Sequence, residues 1–332
     1  MARDYINAHA LTVTEDNMSE HLTRGLKALL CTSALTLNLA ACHNASTATQ
    51  THASAMTSEN TQQEAQNYLT RPPEDDVIYF MLPDRFENGD PGNDTGGFPG
   101  GKLDHGFDPT HKGFYQGGDL KGLTSRLDYI KDLGATAIWL GPIYKNKPVQ
   151  GGPGQESSGY HGYWITDFTS VDPHLGTNDE LKTFVDEAHK RDMKVYLDII
   201  TNHTADVISY RECYDPTYSG DDKVEGPCKY RSLADYPYTT RGGVNGEQIN
   251  EGFMGDEDHF QTVENFERLT RHDYAYTPYI PAGEENVKVP AWLNDIQYYH
   301  NRGETIWRNE SSTYGDFSGL DDLFTEHPVV VD

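Results

Sequence analysis

Three groups of side chains could do chemistry. The first reads Asn88-Gly89-Asp90-Pro91-Gly92-Asn93-Asp94, with Gly117-Gly118-Asp119 following at a distance. Oxygen-bearing side chains alternating with glycine let a loop wrap oxygens around one hard cation, and calcium takes about six to eight of them. The spacing is not that of an EF-hand, because no Glu stands at the twelfth loop position. Alone, this stretch is as readily a solvated Asn/Asp/Gly turn. The second group is Gly159-Tyr160-His161-Gly162-Tyr163-Trp164, and the third is Asp198-Ile199-Ile200-Thr201-Asn202-His203. Each sets a histidine beside an aromatic ring or an amide. A lone histidine is usually structural, but two at comparable places suggest a polar, ring-lined binding site.

The elements that must position these groups follow from hydrophobic periodicity. Residues 77–82 form a continuous apolar run, which predicts a strand buried on both faces. Leu123, Leu127, Ile130 and Leu133 recur on one face of a helix, and Gly134 is its natural stop. Residues 135–140 predict a second strand. Thr177 and Glu180 make a capping box, opening a helix that turns Leu181, Phe184, Val185 and Ala188 inward. Residues 194–200 predict a third strand. Strand–helix alternation means an α/β fold with a parallel sheet, either open and doubly wound or closed into a barrel. In both, ligands meet the C-terminal ends of the strands, where the three groups lie. Neither a nucleophile elbow nor a phosphate loop is present, which argues against an unrelated doubly wound hydrolase or kinase. From residue 201 to 327 the rhythm breaks, and so long a structureless loop is implausible, so an inserted subdomain is expected there. Residues 328–332 begin with Pro328 and predict the first turn of another helix.

Composition limits the partners. The 332 residues carry 52 acidic and 26 basic side chains, a formal charge of −26, which argues against nucleic acid. The 21 tyrosines suit flat sugar rings, having an apolar face and a polar tip. No apolar stretch reaches the roughly 18–20 residues needed to cross a bilayer. A shorter one does exist: Arg24 and Lys27 precede an apolar run that ends Leu39-Ala40-Ala41-Cys42. Residues 1–41 therefore read as a secretory signal region, with Met18 a candidate start. The Leu-Ala-Ala-Cys ending resembles a bacterial lipobox, which would lipidate Cys42 and make that lipid the chain's only membrane contact. With His43 next, the bacterial outer membrane is the expected destination. Residues 42–71 are Ser/Thr/Ala/Gln-rich and read as a flexible tether. In an oxidising compartment, Cys213 and Cys228 read as a local disulfide.

The segment from Asp198 to His203 resembles the first signature of the α-amylase family of glycoside hydrolases. Tyr160 to Trp164, followed by Asp167-Phe168, is similar to that family's strand-two loop. Gly319-Leu320-Asp321-Asp322-Leu323 resembles the short signature near the end of its inserted domain. The resemblance runs in order from about Asp76 to Asp332. It implies a (β/α)8 TIM barrel, with residues 72–200 carrying strands one to three, 201–327 an inserted domain, and 328–332 the start of the next barrel helix. A whole barrel needs roughly 250 residues before insertions, so the rest is expected beyond this chain.

Position by position, the resemblance implies that His161 and His203 hydrogen-bond the sugar before the cleaved bond, and that Tyr163 stacks under it. Asn88, Asp90, Asn93, Asp94, Asp119 and the carbonyl of Gly117 match a calcium loop. Asn202 and Asp322 match ligands of a calcium that ties the inserted domain to the barrel. Asp198 is expected to be structural. Asn88 and Phe324 depart from residues common in relatives. Cleavage with retention needs two carboxyl groups about 5–5.5 Å apart. The family places them after strands four and five, beyond Asp332, so this chain alone is expected to be inactive. Asp321, Asp322 and Glu326 read as a calcium ligand plus surface acids. Trp292, Tyr298, Tyr299, Trp307 and Tyr314 read mostly as core, with further sugar stacking the alternative. The implied function of the full-length protein is hydrolysis of α-1,4-glucans such as starch and maltooligosaccharides. The alternatives are transglycosylation within the family and a non-catalytic glucan-binding lipoprotein. A strand-four Gly-x-Arg-x-Asp segment further on would favour an enzyme.

Overall fold

The apolar run near residue 80 becomes a strand, β1 (Ile78–Met81), in a computed structural model that describes residues 68–331. The signal region at 1–41, the lipidation candidate Cys42 and the tether up to residue 67 lie outside the described residues. The predicted helix that follows is two shorter ones, α1 (Leu120–Ser125) and α2 (Leu127–Asp132), broken at Arg126. Side chains explain the break. Thr124 Oγ1 donates to the Leu120 carbonyl and Ser125 Oγ to that of Gly122, competing with the helical ladder. Leu123, Leu127 and Ile130 are fully buried, whereas Leu133 lies past the helix and is 54% exposed, so it is not a core residue.

Strand β2 (Ala137–Leu140) leads into a hairpin of β3 (Tyr144–Asn146) and β4 (Ile165–Val171). Helix α3 (Asn178–His189) opens on the expected capping box. Thr177 Oγ1 accepts the Glu180 N–H at 3.2 Å, and Glu180 Oε2 accepts the Thr177 N–H at 2.9 Å. Phe184 and Ala188 are buried, and Leu181 and Val185 pack against the same core. Strand β5 (Lys194–Leu197) completes a parallel sheet in the order β1-β2-β5, with Ile78 opposite Ala137 and Ala137 opposite Lys194.

The strands are not buried on both faces as their apolar runs suggest. Met81, Ile138 and Leu140 face the helices, while Phe80 and Trp139 on the other side are 52% and 43% exposed and pack edge to face. Alternation puts every second side chain on that other face, which no helix covers among the described residues.

After β5 the chain builds short elements. Strand β6 (Ser209–Tyr210) pairs antiparallel with β7 (Pro278–Tyr279), and α4 (Arg211–Tyr214) carries Cys213, which is bonded to Cys228 as expected. A tyrosine- and phenylalanine-rich core holds Tyr238, Phe253, Phe266, Tyr274 and Phe324. The fully buried Arg302 guanidinium lies 4.4 Å over the Tyr238 ring and 5.0 Å from that of Tyr274. Pro328–Val331 forms the helical turn α5 predicted for it. No helix among the described residues is long and apolar enough to cross a membrane.

Candidate functional site

The second and third residue groups meet at the C-terminal ends of β2 and β5. His161, Tyr163 and Trp164 sit in the turn before β4, which Asn146 fixes by accepting the Trp164 N–H at its side-chain oxygen. Gly162 bends this turn with φ +88°, and a Cβ there would fall 2.1 Å from the Pro142 carbonyl oxygen, so only glycine fits. The Tyr163 hydroxyl donates to Asp198 Oδ2 at 2.9 Å, one residue beyond β5. Asp198 therefore holds the tyrosine ring. His203 Nε2 stands 3.2 Å from the Tyr163 carbonyl oxygen. One aspartate and one histidine at the end of β5 thus anchor the aromatic turn.

Both histidines are neutral at ordinary pH. Burial, helped by the Arg85 guanidinium, depresses the His161 imidazole to about 4. Its Nδ1 accepts the Tyr163 N–H at 3.1 Å, so in the neutral ring the proton sits on Nε2 as a free donor. Burial also lowers His203. With its Nε2 donating to the Tyr163 carbonyl, Nδ1 is a buried acceptor without a partner. The site thus offers one free donor and a flat ring, complementary to a neutral polyhydroxylated ligand.

Residues that periodicity passed over build the surroundings. Buried Asp84, just past β1, accepts the Gln116 and Gly117 N–H groups at Oδ1, and its pKa rises to about 6 because burial outweighs those bonds. Next to it, Arg85 stacks 3.7 Å over the Tyr160 ring. A charged pair shortly after an apolar run is the only sequence signal for either.

The first residue group closes into a cradle. A Cβ on Gly117 (φ +93°) would fall 2.6 Å from Asn88 Nδ2 and 2.7 Å from Asp94 Oδ1, which places these three in contact. Asn88 donates to Asp94 at 2.8 Å, and Asn93 Oδ1 is buried without a partner. Burial raises the Asp94 pKa, and the nearby Asp119 and Asp90 charges add to the rise. An orphaned oxygen beside crowded carboxylates fits a hard cation. Other oxygens are engaged within the chain. Asp119 caps α1 through the Gly122 N–H and accepts the Gly89 and Asp90 N–H groups, while Asp90 pairs with Lys121. Among the described residues, no three or more His, Cys, Asp or Glu side chains are arranged to hold a metal.

Asn202 and Asp322 also meet, with the Asn202 amide nitrogen 2.9 Å from Asp322 Oδ1. The other Asp322 oxygen pairs with His300 Nδ1 at 2.6 Å, and His300 Nε2 reaches Glu326 at 2.9 Å. Burial opposes charge on His300, but these two hydrogen bonds carry its pKa up to about 9, so it is an imidazolium. As placed, this pair is complete without a metal. Glu326 is thus no surface acid. Nor is Asp321, which is buried against Lys288 and accepts the Val207 and Ile208 N–H groups.

The described residues thus form a parallel α/β sheet whose strand ends gather two histidines and a tethered tyrosine. The model of the alpha-amylase catalytic domain matches residues 80–332, and the chain belongs to the alpha-amylase family of glycoside hydrolases. It is 52% identical over 233 residues to an alpha-amylase of Streptomyces lividans, covering 70% of this chain and 23% of that protein. To a cyclomaltodextrin glucanotransferase of Klebsiella oxytoca it is 30% identical over 273 residues, covering 74% of this chain and 38% of the relative. A solved three-domain cyclomaltodextrin glucanotransferase, CldA, aligns over 77% of this chain and 40% of its own at 28% identity, with a TM-score of 0.47. The chain thus spans well under half the length of these relatives.

Proposed function

We propose that the full-length protein hydrolyses α-1,4-glucans with retention of anomeric configuration, and that this chain supplies one wall of its active site. The observation that carries the reading is the tether Tyr163–Asp198 together with the neutral histidines His161 and His203. The Tyr163 ring stacks under a glucosyl unit, His161 Nε2 donates to a sugar hydroxyl, and His203 holds the Tyr163 carbonyl beside them. Asp198 is bound to Tyr163, so it is a positioning residue and not the nucleophile. The carboxylate nucleophile and the acid belong to the fourth and fifth barrel strands, which the family resemblance puts beyond residue 332. Hydrolysis is preferred over transglycosylation because the alpha-amylase relative is the more similar over its matched length. In this reading the protein is exported and held at the membrane by a lipid on Cys42.

The orphaned Asn93 oxygen supports calcium in the cradle of Asn88, Asp90, Asn93, Asp94, Asp119 and the Gly117 carbonyl, where Asp90 would have to leave Lys121 and the ion would cross-link the two loops that follow β1. At Asn202 and Asp322 it would have to displace the His300 imidazolium and turn the Asn202 amide oxygen inward. Chelator is expected to lower the thermal midpoint of the full-length protein and added calcium to restore it. A midpoint indifferent to both rejects the metal.

The reaction is tested by following the product anomer with time as the full-length protein acts on maltoheptaose. Linear products released first as the α-anomer are expected. Release of the β-anomer overturns retention, cyclic products favour transfer, and no turnover leaves the glucan-binding alternative.

A further inference from the structure

We propose that the Ser318–Gly319 turn is a proton-controlled switch. A neutral Asp206 lets the turn close beside Glu304, and an ionised Asp206 loosens it together with the His203 ring it supports. The proposal rests on the reading of the His161–Tyr163–His203 surface as a sugar site. Phe317 and Leu320 flank the turn and exchange two backbone hydrogen bonds, at 3.1 and 3.3 Å. Both central residues have positive φ, +56° at Ser318 and +88° at Gly319, which a two-residue hairpin of this hand requires. A serine enters that region at a cost, so the turn keeps its shape only while its neighbours impose it.

Two carboxyl groups do so, and both touch one glycine. Glu304 Oε2 accepts the Gly319 N–H at 3.0 Å. Asp206 Oδ2 would lie 2.8 Å from a Cβ on Gly319. Both side chains line a cavity of about 350 Å³, together with Asp316, Tyr210 and Tyr214. Glu304 cannot yield, because its N–H donates to the Cys228 carbonyl at 2.7 Å and its carbonyl accepts the Tyr230 N–H at 3.0 Å. Phe317, next to the turn, lies parallel to the His203 ring, with centroids 5.9 Å apart and planes 12° from parallel. His203 reaches the Tyr163 carbonyl, so a displaced turn acts on the sugar site through two contacts.

The surrounding charges favour loosening. Asp206 faces the carboxylates of Asp321, Glu304 and Glu284 and one cation, Lys147. Lys147 Nζ is engaged by Glu284 at 2.9 Å and by the Asp206 backbone carbonyl at 2.7 Å. Lys288 is held by Asp321, and the Tyr210 hydroxyl donates to Asp316. Burial pushes Tyr214 up to about 12, so it stays a neutral phenol. Glu304 is raised by burial too, but the Gly319 and Ser318 N–H groups hold its charge. Burial carries Asp206 up to about 7, and among the described residues no further cation faces it there. A carboxylate formed at Asp206 repels Glu304 across Gly319, and the strained turn gives way.

The test applies two readouts to the full-length protein and its Asp206→Asn and Glu304→Gln variants, from about pH 5.5 to about pH 8.5. One is KM and kcat for maltoheptaose, and the other is tryptophan fluorescence. Trp307 meets Phe317 edge to face at 4.1 Å, so its emission reports on the turn, and a Trp307→Phe variant identifies its share. The ratio of parent to Asp206→Asn at each pH removes titrations common to both. The KM ratio is expected to rise about fivefold across the range, with the kcat ratio changing by less than about twofold. Trp307 emission should step near about pH 7 in the parent and stay flat in Asp206→Asn. In Glu304→Gln, which lacks one repelling charge, the step should be smaller and fall at lower pH. A constant KM ratio, an emission step that survives Asp206→Asn, or a Glu304→Gln profile identical to the parent's overturns the switch. If the protein neither cleaves nor binds maltoheptaose at any pH, the sugar-site reading fails, and the fluorescence titration still decides whether the turn responds to Asp206.

Discussion

Between the two residues that contact sugar in the proposed site stands one that cannot. Gly162 separates His161 from Tyr163, and its value lies in what it lacks. At φ +88° a side chain is strained, and a Cβ would strike the Pro142 carbonyl oxygen at 2.1 Å. Gly162→Ala must therefore push the turn away from Pro142. We expect a loss of about 2 kcal/mol or more in denaturant unfolding, with activity falling further than stability, because the shift moves His161 and Tyr163 together. A variant as stable and as active as the parent would show that the turn is compliant. Both site residues were legible in the sequence as a histidine and a ring at a strand end. The partners that hold them were not. Asn146 and Arg85 act through contacts that no spacing announces, since each is set by how the chain folds back on itself.

The elements divide sharply by how local their causes are. Helix α3 could be read residue by residue: its cap and its inward face both come from short-range rules, and the structure keeps both. Removing the Thr177 hydroxyl leaves the Glu180 N–H without its cap and takes away the hydroxyl's own bond to Glu180 Oε2, while the Thr177 N–H keeps its bond to that oxygen. Thr177→Ala is accordingly expected to cost about 1 kcal/mol in thermal or denaturant unfolding, while Thr177→Ser, which keeps the oxygen, should cost much less. Equal losses from the two substitutions would mean that the cap is immaterial. The three parallel strands were legible as apolar runs, but their exposure was not. A run of apolar residues states that a strand wants cover on both faces, not what provides it. The region after residue 200 was legible only as an interruption. Its packing depends on long-range pairs such as Tyr210 with Asp316 and Arg302 with Tyr238, for which sequence carries no period. Asp321 shows the difficulty in one residue: beside Asp322 in a polar signature it reads as a surface acid, yet Lys288, 33 positions earlier, buries it.

Across the whole molecule the excess of acidic side chains is not confined to the surface. With a formal charge of −26, some carboxylates end up where ionisation is penalised, and Asp206 is the clearest case. Burial pushes its pKa up to about 7, the Asp321 charge adds to the rise, and Lys147 only partly offsets it. No hydrogen bond to its carboxylate is present among the described residues. In the unfolded chain an aspartate titrates near about 3.9. Below that value both states are protonated and the group is neutral to folding. As pH climbs towards 7 the unfolded chain ionises first, so stability drains away through this window, and the loss is complete once the folded carboxyl ionises as well. Asp206→Asn removes this dependence while preserving shape. The stability of the variant relative to the parent should therefore rise by on the order of 1–3 kcal/mol between pH 4.5 and 8, the range allowing for partial exposure. Asp84, also raised, titrates in both proteins and cancels from the comparison. Urea melts of the two proteins across that range measure the effect directly. Parallel curves would mean that Asp206 ionises freely in the folded protein, with solvent or Lys147 relieving the burial that now raises it.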